Sequence, residues 1–136
     1  MTWYYNDTPY EYDGVSFGFV YLIENLNTGK KYIGRKYFTA AGYKQVKGKR
    51  KKIRKESDWQ TYYGSNETLK KEVAELGEHN FRRTILHLCN SKSECSYVET
   101  FEIFSRHALL NELYYNDWCS CKVRRTHLKN VRLQHK

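Results

Sequence analysis

The chain has 136 residues, of which 40% are hydrophobic and 16% aromatic, and it contains a single proline. This composition is typical of one folded domain, here residues 1–136, and excludes a disordered chain. The sequence contains no run of about 18 apolar residues and does not open with a signal-peptide pattern. We therefore expect a cytoplasmic protein with no membrane segment.

The net charge of +9 is concentrated in two segments. Residues 44–55 contain eight basic residues and no acid: Lys44, Lys47, Lys49, Arg50, Lys51, Lys52, Arg54 and Lys55. A basic C-terminal tail, residues 119–136, contains six more basic residues and no acid. The rest of the chain carries a slight excess of acidic residues. Such localised charge favours a polyanionic partner, although a lysine run can also simply keep a loop solvated.

The first half of the chain predicts an arm, a β-hairpin and a basic insertion. Residues 1–16 are aromatic but aperiodic, so we expect an arm laid over the domain. The apolar run 18–24 predicts a central strand, residues 25–29 a turn, and residues 31–36 the returning strand. Residues 37–58 read as a basic insertion, partly helical around residues 49–55.

The second half predicts two helices and a third strand. Ser65 or Asn66 can cap a helix that ends at Gly77. Residues 81–89 predict a strand, and residues 93–110 have apolar positions at helical spacing. The expected fold is therefore α+β, a small three-stranded antiparallel sheet flanked by helices.

Two tyrosines face each other across the predicted hairpin. With the turn centred near Asn27, Tyr21 falls opposite Tyr32 or Gly34, and Tyr21, Tyr32 and Lys36 project from one face. The simplest interpretation is an aromatic cross-strand pair that serves only packing.

Four cysteines, Cys89, Cys95, Cys119 and Cys121, raise two further possibilities. Disulfides are not expected in a chain without a secretory signal. The separation of Cys119 and Cys121 by one residue suits a zinc ion poorly, although His87 and His127 are near enough in sequence to contribute. Buried reduced thiols are the default expectation, and zinc binding stays open.

Several segments together resemble the GIY-YIG endonuclease family. They are "FVY" at 19–21, "YIG" at 32–34, "LGEHNFRRTIL" at 76–86, "YVETFEI" at 97–103, and "YN" at 115–116, in the order that the family shows. The "SDWQTYYGS" segment and the basic insertion make the chain most similar to small freestanding, homing-type endonucleases of phages. A phage origin would place the protein in the host cytoplasm.

The resemblance implies a metal-dependent DNA endonuclease and a set of catalytic residues. Glu99 would hold one Mg²⁺ or Mn²⁺ ion, and Tyr21 would orient or activate the attacking water. Tyr32 would position the water or the phosphate, Gly34 would leave room for a phosphate, and Asn116 would support the metal end of the site. Because a phenol is a weak base at neutral pH, cations at Lys31, Lys36 or the basic run would have to lower the pKa of Tyr21.

The sequence departs from the family pattern in three places. Phe19 stands where the first motif usually has glycine. The family arginine lies somewhere in residues 35–54, and we favour Arg54, then Arg50, by counting back from Gly77. No histidine lies between Tyr32 and Tyr63, so Tyr63, a lysine or Ser65 would have to replace it.

Double-stranded DNA is the expected partner, bound by the basic insertion and by Tyr63, with the protein acting as a monomer or a homodimer. Two alternatives remain at this point: a non-catalytic DNA- or RNA-binding module on the same fold, and a ribosome-associated protein whose basic tail binds RNA. The retained Tyr21, Tyr32 and Glu99 favour the enzyme, because binding alone requires only charge and stacking.

Overall fold

In the computed structural model, which describes residues 2–133, five strands form one mixed sheet and two form a separate ribbon. The order in the sheet is β2-β1-β7-β3-β4, and β5 pairs with β6. The elements are β1 (Trp3–Tyr5), β2 (Thr8–Pro9), β3 (Gly18–Asn25), β4 (Lys31–Tyr37), β5 (Thr39–Val46), β6 (Lys49–Glu56), α1 (Glu67–Leu76), β7 (Phe81–Cys89) and α2 (Lys92–Ser105).

The α+β class is confirmed, and the three predicted strands β3, β4 and β7 form the antiparallel centre of the sheet. The sheet nevertheless has five strands rather than three. Part of the predicted arm, β1, pairs in parallel with β7, and β2 pairs with β1. Trp3 accounts for this placement, because its ring is 3% exposed and its Nε1 donates to the Trp59 carbonyl at 2.8 Å.

Two hydrophobic cores cover the two faces of the sheet. Phe19, Tyr21 and Ile23 pack on the side of α1, where Leu69 and Val73 are buried. Alternate residues of β3, which include Val20 and Leu22, pack on the side of α2 with Cys95, Val98 and Ile103. Both faces of β3 are therefore buried, which explains its continuous apolar run.

The helices begin and end where side chains and backbone can satisfy the terminal groups. Asn66 caps α1 by accepting from Leu69 N at 3.0 Å, and Gly77 ends it with a φ of 89°. Ser91 caps α2. The second helix ends at Ser105 rather than near residue 110, because His107 takes a left-handed conformation before a short 3₁₀ turn at Ala108–Leu110.

The predicted helix in the basic insertion is wrong, because residues 39–56 form the β5–β6 hairpin. Its two-residue turn, Lys47 and Gly48, has positive φ at both positions, as a type I′ turn requires. Residues 119–133 are largely irregular, with a 3₁₀ turn at Arg125–His127. Residue 1 of the predicted arm and residues 134–136 of the predicted tail lie outside the described residues. Among residues 2–133, none of the helices is long and apolar enough to span a membrane.

Candidate active site

A cleft of about 440 Å³ opens at the edge of the sheet formed by β4. It brings together four of the predicted catalytic residues, which lie up to 95 positions apart in the sequence. The lining residues are Tyr21, Tyr32, Ile33, Arg35, Ser65, Asn66, Glu99, Ile103, Asn116, Asp117, Trp118, Cys119 and Ser120.

The position of Tyr21 depends on Gly34. The two residues are opposite each other in the β3–β4 pair, so they share one face of the sheet. A Cβ at position 34 would clash with Oη and Cζ of Tyr21 and would lie 3.0 Å from Cε2 of Tyr32. The space above Gly34 is thus filled by the Tyr21 ring, which corrects the expectation that glycine leaves this space for a phosphate.

The Tyr21 hydroxyl is held in its protonated form. Its side chain is only 1% exposed, and this burial raises its pKa well above the usual value. Nearby Tyr62, Tyr32 and Glu99 raise the pKa further. Within residues 2–133, cations do not lower the pKa of Tyr21 below its usual value as expected, so Tyr21 enters the cleft as a hydrogen-bond donor.

The position of Lys36 partly explains why cations do not lower the pKa of Tyr21. It lies on the same face of β4 as Tyr32, as predicted, but it is not among the cleft-lining residues. Its Nζ pairs with Asp58 at 2.5 Å and lies 4.0 Å from the centroid of the Tyr62 ring. Since Tyr62 packs edge-on against Tyr21, Lys36 supports that ring contact from behind and its charge is compensated by Asp58.

Tyr32 is oriented by a hydroxyl of the segment before α1. Its Oη lies 3.1 Å from Ser65 Oγ, and its ring centroid is 6.2 Å from that of Tyr21. Burial raises the pKa of Tyr32, although the Ser65 hydrogen bond opposes the shift. Ser65 therefore occupies the place beside Tyr32 for which the sequence offered Tyr63, a lysine or Ser65 as replacements for histidine.

Glu99 and Arg35 form the charged part of the cleft. Arg35 Nη1 donates to Glu99 Oε1 at 2.7 Å, and the two side chains are 34% and 14% exposed. Burial raises the pKa of the Glu99 carboxyl, and Arg35 opposes this by favouring the ionised form. The carboxylate is thus desolvated on one side and paired on the other.

Asn116 acts on the backbone of β4. Its Oδ1 accepts from Ile33 N at 3.0 Å, and its Nδ2 donates to Ile33 O at 2.8 Å. These are outward-facing groups of an edge strand that would otherwise lack a partner. The residue therefore fixes the strand that presents Tyr32, Gly34 and Arg35.

The favoured catalytic arginine, Arg54, does not reach the cleft. It lies on β6 and donates from Nη2 to the Thr39 carbonyl at 2.9 Å. Arg50 stacks 4.0 Å from the Tyr43 ring centroid, also on the hairpin. The arginine of the cleft is Arg35, which directly follows the "YIG" segment. Counting back from Gly77 missed it because the basic insertion, which forms the β5–β6 hairpin, lies between the two.

Asp117 was also missed in the sequence. It lines the cleft next to Asn116, and its carboxylate raises the pKa of Tyr32. The signal available was its position directly after the "YN" segment. Asp117 gives the cleft a second carboxylate besides Glu99.

The predicted nucleic-acid-binding residues fall into two groups. The basic residues Lys44, Lys47, Lys49, Arg50, Lys51, Lys52 and Lys55 are exposed on the hairpin. Tyr63 lies elsewhere, on the α1 side, and its ring is 4.3 Å from the buried guanidinium of Arg83. Tyr63 is thus part of a packed cation–aromatic contact.

The four cysteines differ in burial. Cys89 and Cys95 are buried thiols, whereas Cys119 is partly exposed and Cys121 exposed. Within residues 2–133, the group with metal-ligating potential is His87, Cys89 and Glu94, whose ligand atoms lie within 4.8 Å of one another. Glu94 already accepts from His87 at 2.6 Å and from Asn90 N at 3.1 Å. These hydrogen bonds account for its burial without an ion.

Comparison with known proteins gives one family. Residues 3–119 match the family model described as "Putative endonuclease segE, GIY-YIG domain". No curated protein and no solved structure matches the chain significantly. The matched range contains β1 through α2 and all of the residues up to Cys119 that line the cleft. The chain therefore belongs to the segE-type GIY-YIG endonuclease family.

Proposed function

We propose that the protein is a divalent-metal-dependent endonuclease that hydrolyses phosphodiester bonds in double-stranded DNA. The observation that carries the proposal is the cleft in which Tyr21, Tyr32, Arg35 and Glu99 meet. Phosphodiester hydrolysis requires a positioned water, stabilisation of the negative charge at phosphorus, and a group that carries charge on the leaving oxygen. The cleft offers a residue for each requirement.

The carboxylates of the cleft suit a hard dication, Mg²⁺ or Mn²⁺, at one ion per site. Oxygen ligands are what these ions prefer, and Glu99 would hold the ion with Asp117 nearby. The raised pKa of Glu99 fits this role, because a desolvated carboxylate gains most from a cation. When bound, the ion stabilises the charge that develops on the leaving oxygen.

Arg35 is the residue that we assign to the phosphate. Its side chain is one-third exposed at the cleft, and its guanidinium is always charged and forms a planar fork that matches two phosphate oxygens. Pairing with Glu99 keeps it in place before DNA binds. Arg35 thereby takes the role that the sequence interpretation gave to Arg54.

The tyrosines position the reacting groups. The protonated Tyr21 hydroxyl can donate to a phosphate oxygen or orient the attacking water, and its raised pKa makes it a donor rather than a general base. Tyr32, held by Ser65, would fix the other side of the water. Asn116 positions the strand that carries Tyr32 and Arg35.

Cleavage of supercoiled plasmid tests the proposal. We expect nicking or linearisation with Mg²⁺ or Mn²⁺, none in EDTA, and loss of cleavage with retained DNA binding in Glu99→Gln. Glu102→Gln is the matched control, because Glu102 lies on the same helix but pairs with Arg106 outside the cleft. Direct titration of each protein with Mn²⁺ should show weakened binding in Glu99→Gln alone.

Two outcomes would contradict the proposal. Undiminished nicking by Glu99→Gln would remove Glu99 as the metal ligand. DNA or RNA binding by the native chain without any nicking in either metal would favour the non-catalytic binding module. Nicking without linearisation would indicate a monomer with one active site, whereas concerted cleavage of both strands would indicate a dimer.

A further inference from the structure

The β5–β6 hairpin has two chemically different faces. Cross-strand partners share a face, and residues alternate along each strand, so the pairing assigns every side chain. One face, here called the reading face, carries Thr39, Ala41, Tyr43, Gln45, Arg50, Lys52, Arg54 and Glu56. The opposite face, here called the lysine face, carries Ala40, Gly42, Lys44, Val46, Lys49, Lys51, Ile53 and Lys55.

Side-chain contacts agree with this division. Arg50 stacks on Tyr43, and Arg54 bonds to Thr39, which are diagonal contacts within the reading face. On the other side, the Lys55 side chain lies over Gly42, where a Cβ would be 2.9 Å from its Cδ. All three arginine- and glutamine-type side chains of the hairpin are thus on the reading face, and every basic residue of the lysine face is lysine.

From this arrangement we infer that the hairpin enters the major groove of duplex DNA and determines the sequence at which the enzyme cuts. The inference rests on the proposed function. Arginine and glutamine form bidentate hydrogen bonds with guanine and adenine in that groove, whereas lysine acts mainly as a point charge for phosphates. A two-stranded ribbon fits the groove, which is about 12 Å wide.

Arg50 and Gln45 are the pair best placed to read bases. They are directly opposite each other, one residue pair before the turn-flanking pair Val46 and Lys49. Stacking on Tyr43 holds the Arg50 guanidinium and leaves its edge for hydrogen bonds, so little side-chain entropy is lost on binding. Arg54 is less available because Thr39 occupies its Nε and Nη2 groups.

The length of the ribbon sets the distance between reading and cutting. From the Thr39–Glu56 pair at its base to the Gln45–Arg50 pair, the strand rises roughly 20 Å, or about six base pairs of B-DNA. The base of the hairpin follows β4 directly, and β4 lines the cleft. The base pairs that are read should therefore lie within about one helical turn of the cut, on one side of it.

Selection from a randomised duplex library, scored separately for binding and for cleavage, tests this inference. Native protein should enrich a guanine-containing motif on one side of the cut. Arg50→Lys keeps the charge but loses the fork, so the preference for the motif should fall roughly 10-fold with an unchanged salt dependence. Methylation of guanine N7, which blocks the major groove, should interfere with binding by the native protein.

The lysine face provides the contrasting variant. Lys51→Ala should weaken binding to all sequences alike and flatten the salt dependence, by about 0.9 in the slope for one lost phosphate contact. Lys92→Ala, an exposed lysine at the start of α2, controls for the loss of a positive charge elsewhere.

Each outcome bears on a different claim. An unchanged motif in Arg50→Lys, or no positional preference in the bound native pool, would overturn the reading role of the hairpin. A selected motif without cleavage would contradict the proposed nuclease function while supporting the reading role. Weakening by Arg50→Lys that is uniform across sequences would make the ribbon a phosphate-binding element only.

Discussion

Replacement of Asn116 by alanine separates a positioning role from a chemical one. Asn116 is 9% exposed, and its two hydrogen bonds are the partners of the N–H and C=O groups of Ile33, which is itself fully buried. The alanine variant leaves both backbone groups unpaired. An unsatisfied buried polar group costs about 1–3 kcal/mol, so we expect a loss of about 2–4 kcal/mol once some water enters the cleft.

Urea denaturation followed by circular dichroism measures this loss. Asn116→Asp should be no more stable than Asn116→Ala, because it retains an acceptor for Ile33 N but turns a carboxylate oxygen toward Ile33 O. Asn90→Ala is the control, since Asn90 is exposed and should change the free energy of unfolding by less than about 0.5 kcal/mol. Both Asn116 variants should also cleave slowly at temperatures where they are folded.

The positioning role of Asn116 would be contradicted if Asn116→Ala changed cleavage without changing stability. An Asn116→Ala protein within about 0.5 kcal/mol of the native stability that has lost cleavage would show that the amide acts on the substrate or the ion. A variant that keeps both properties would show that the edge of β4 needs no partner at Ile33.

Three more expectations concern the cleft. Tyr21→Phe should lower the single-turnover cleavage rate by about 10²-fold with unchanged folding and DNA affinity. A rate within about threefold of the native rate would make Tyr21 a packing residue. Tyr32→Phe should lower the rate by a smaller factor. Gly34→Ala should destabilise the protein by about 1–3 kcal/mol because its Cβ displaces the Tyr21 ring, and Tyr21→Leu in the same chain should recover part of that loss in urea denaturation. Because burial raises the pKa of Glu99, Mn²⁺ binding measured by calorimetry should weaken on acidification at a higher pH than for an ordinary glutamate. Arg35→Met should move the pH midpoint of this loss higher still, because Arg35 favours the ionised carboxylate. A lower pH midpoint in Arg35→Met would contradict the Arg35–Glu99 ion pair.

The parts of the fold that bury a patterned face could be predicted from the sequence. The strand Phe81–Cys89 and the helix between Asn66 and Gly77 lie where the sequence predicts them, because apolar spacing and capping residues are local properties. The turn position narrowed the partner of Tyr21 to Tyr32 or Gly34, and the structure has Gly34 opposite it. Four cleft residues could be chosen because they belong to recognisable segments.

The basic hairpin could not be predicted in the same way. Both of its faces are largely exposed, so residues 49–56 show no alternation of apolar and polar residues. The parallel pairing of Trp3–Tyr5 with β7 was hidden for another reason, since it joins two segments about 80 positions apart through a strand of three residues. The pKa of Tyr21 depends on burial that exists only in the folded chain.

The edge of β4 also sets the time at which a newly made chain can complete the cleft. Lys31 N donates to Leu113 O at 2.8 Å, Tyr115 N donates to Lys31 O at 2.7 Å, and Asn116 pairs with Ile33, 83 positions earlier. Tyr21, Tyr32 and their hairpin leave the ribosome long before these partners are synthesised. Contacts between distant positions form last, because the loop between them must close first. A growing chain therefore carries both tyrosines through most of its synthesis before the edge of β4 that holds Tyr32 has its partners.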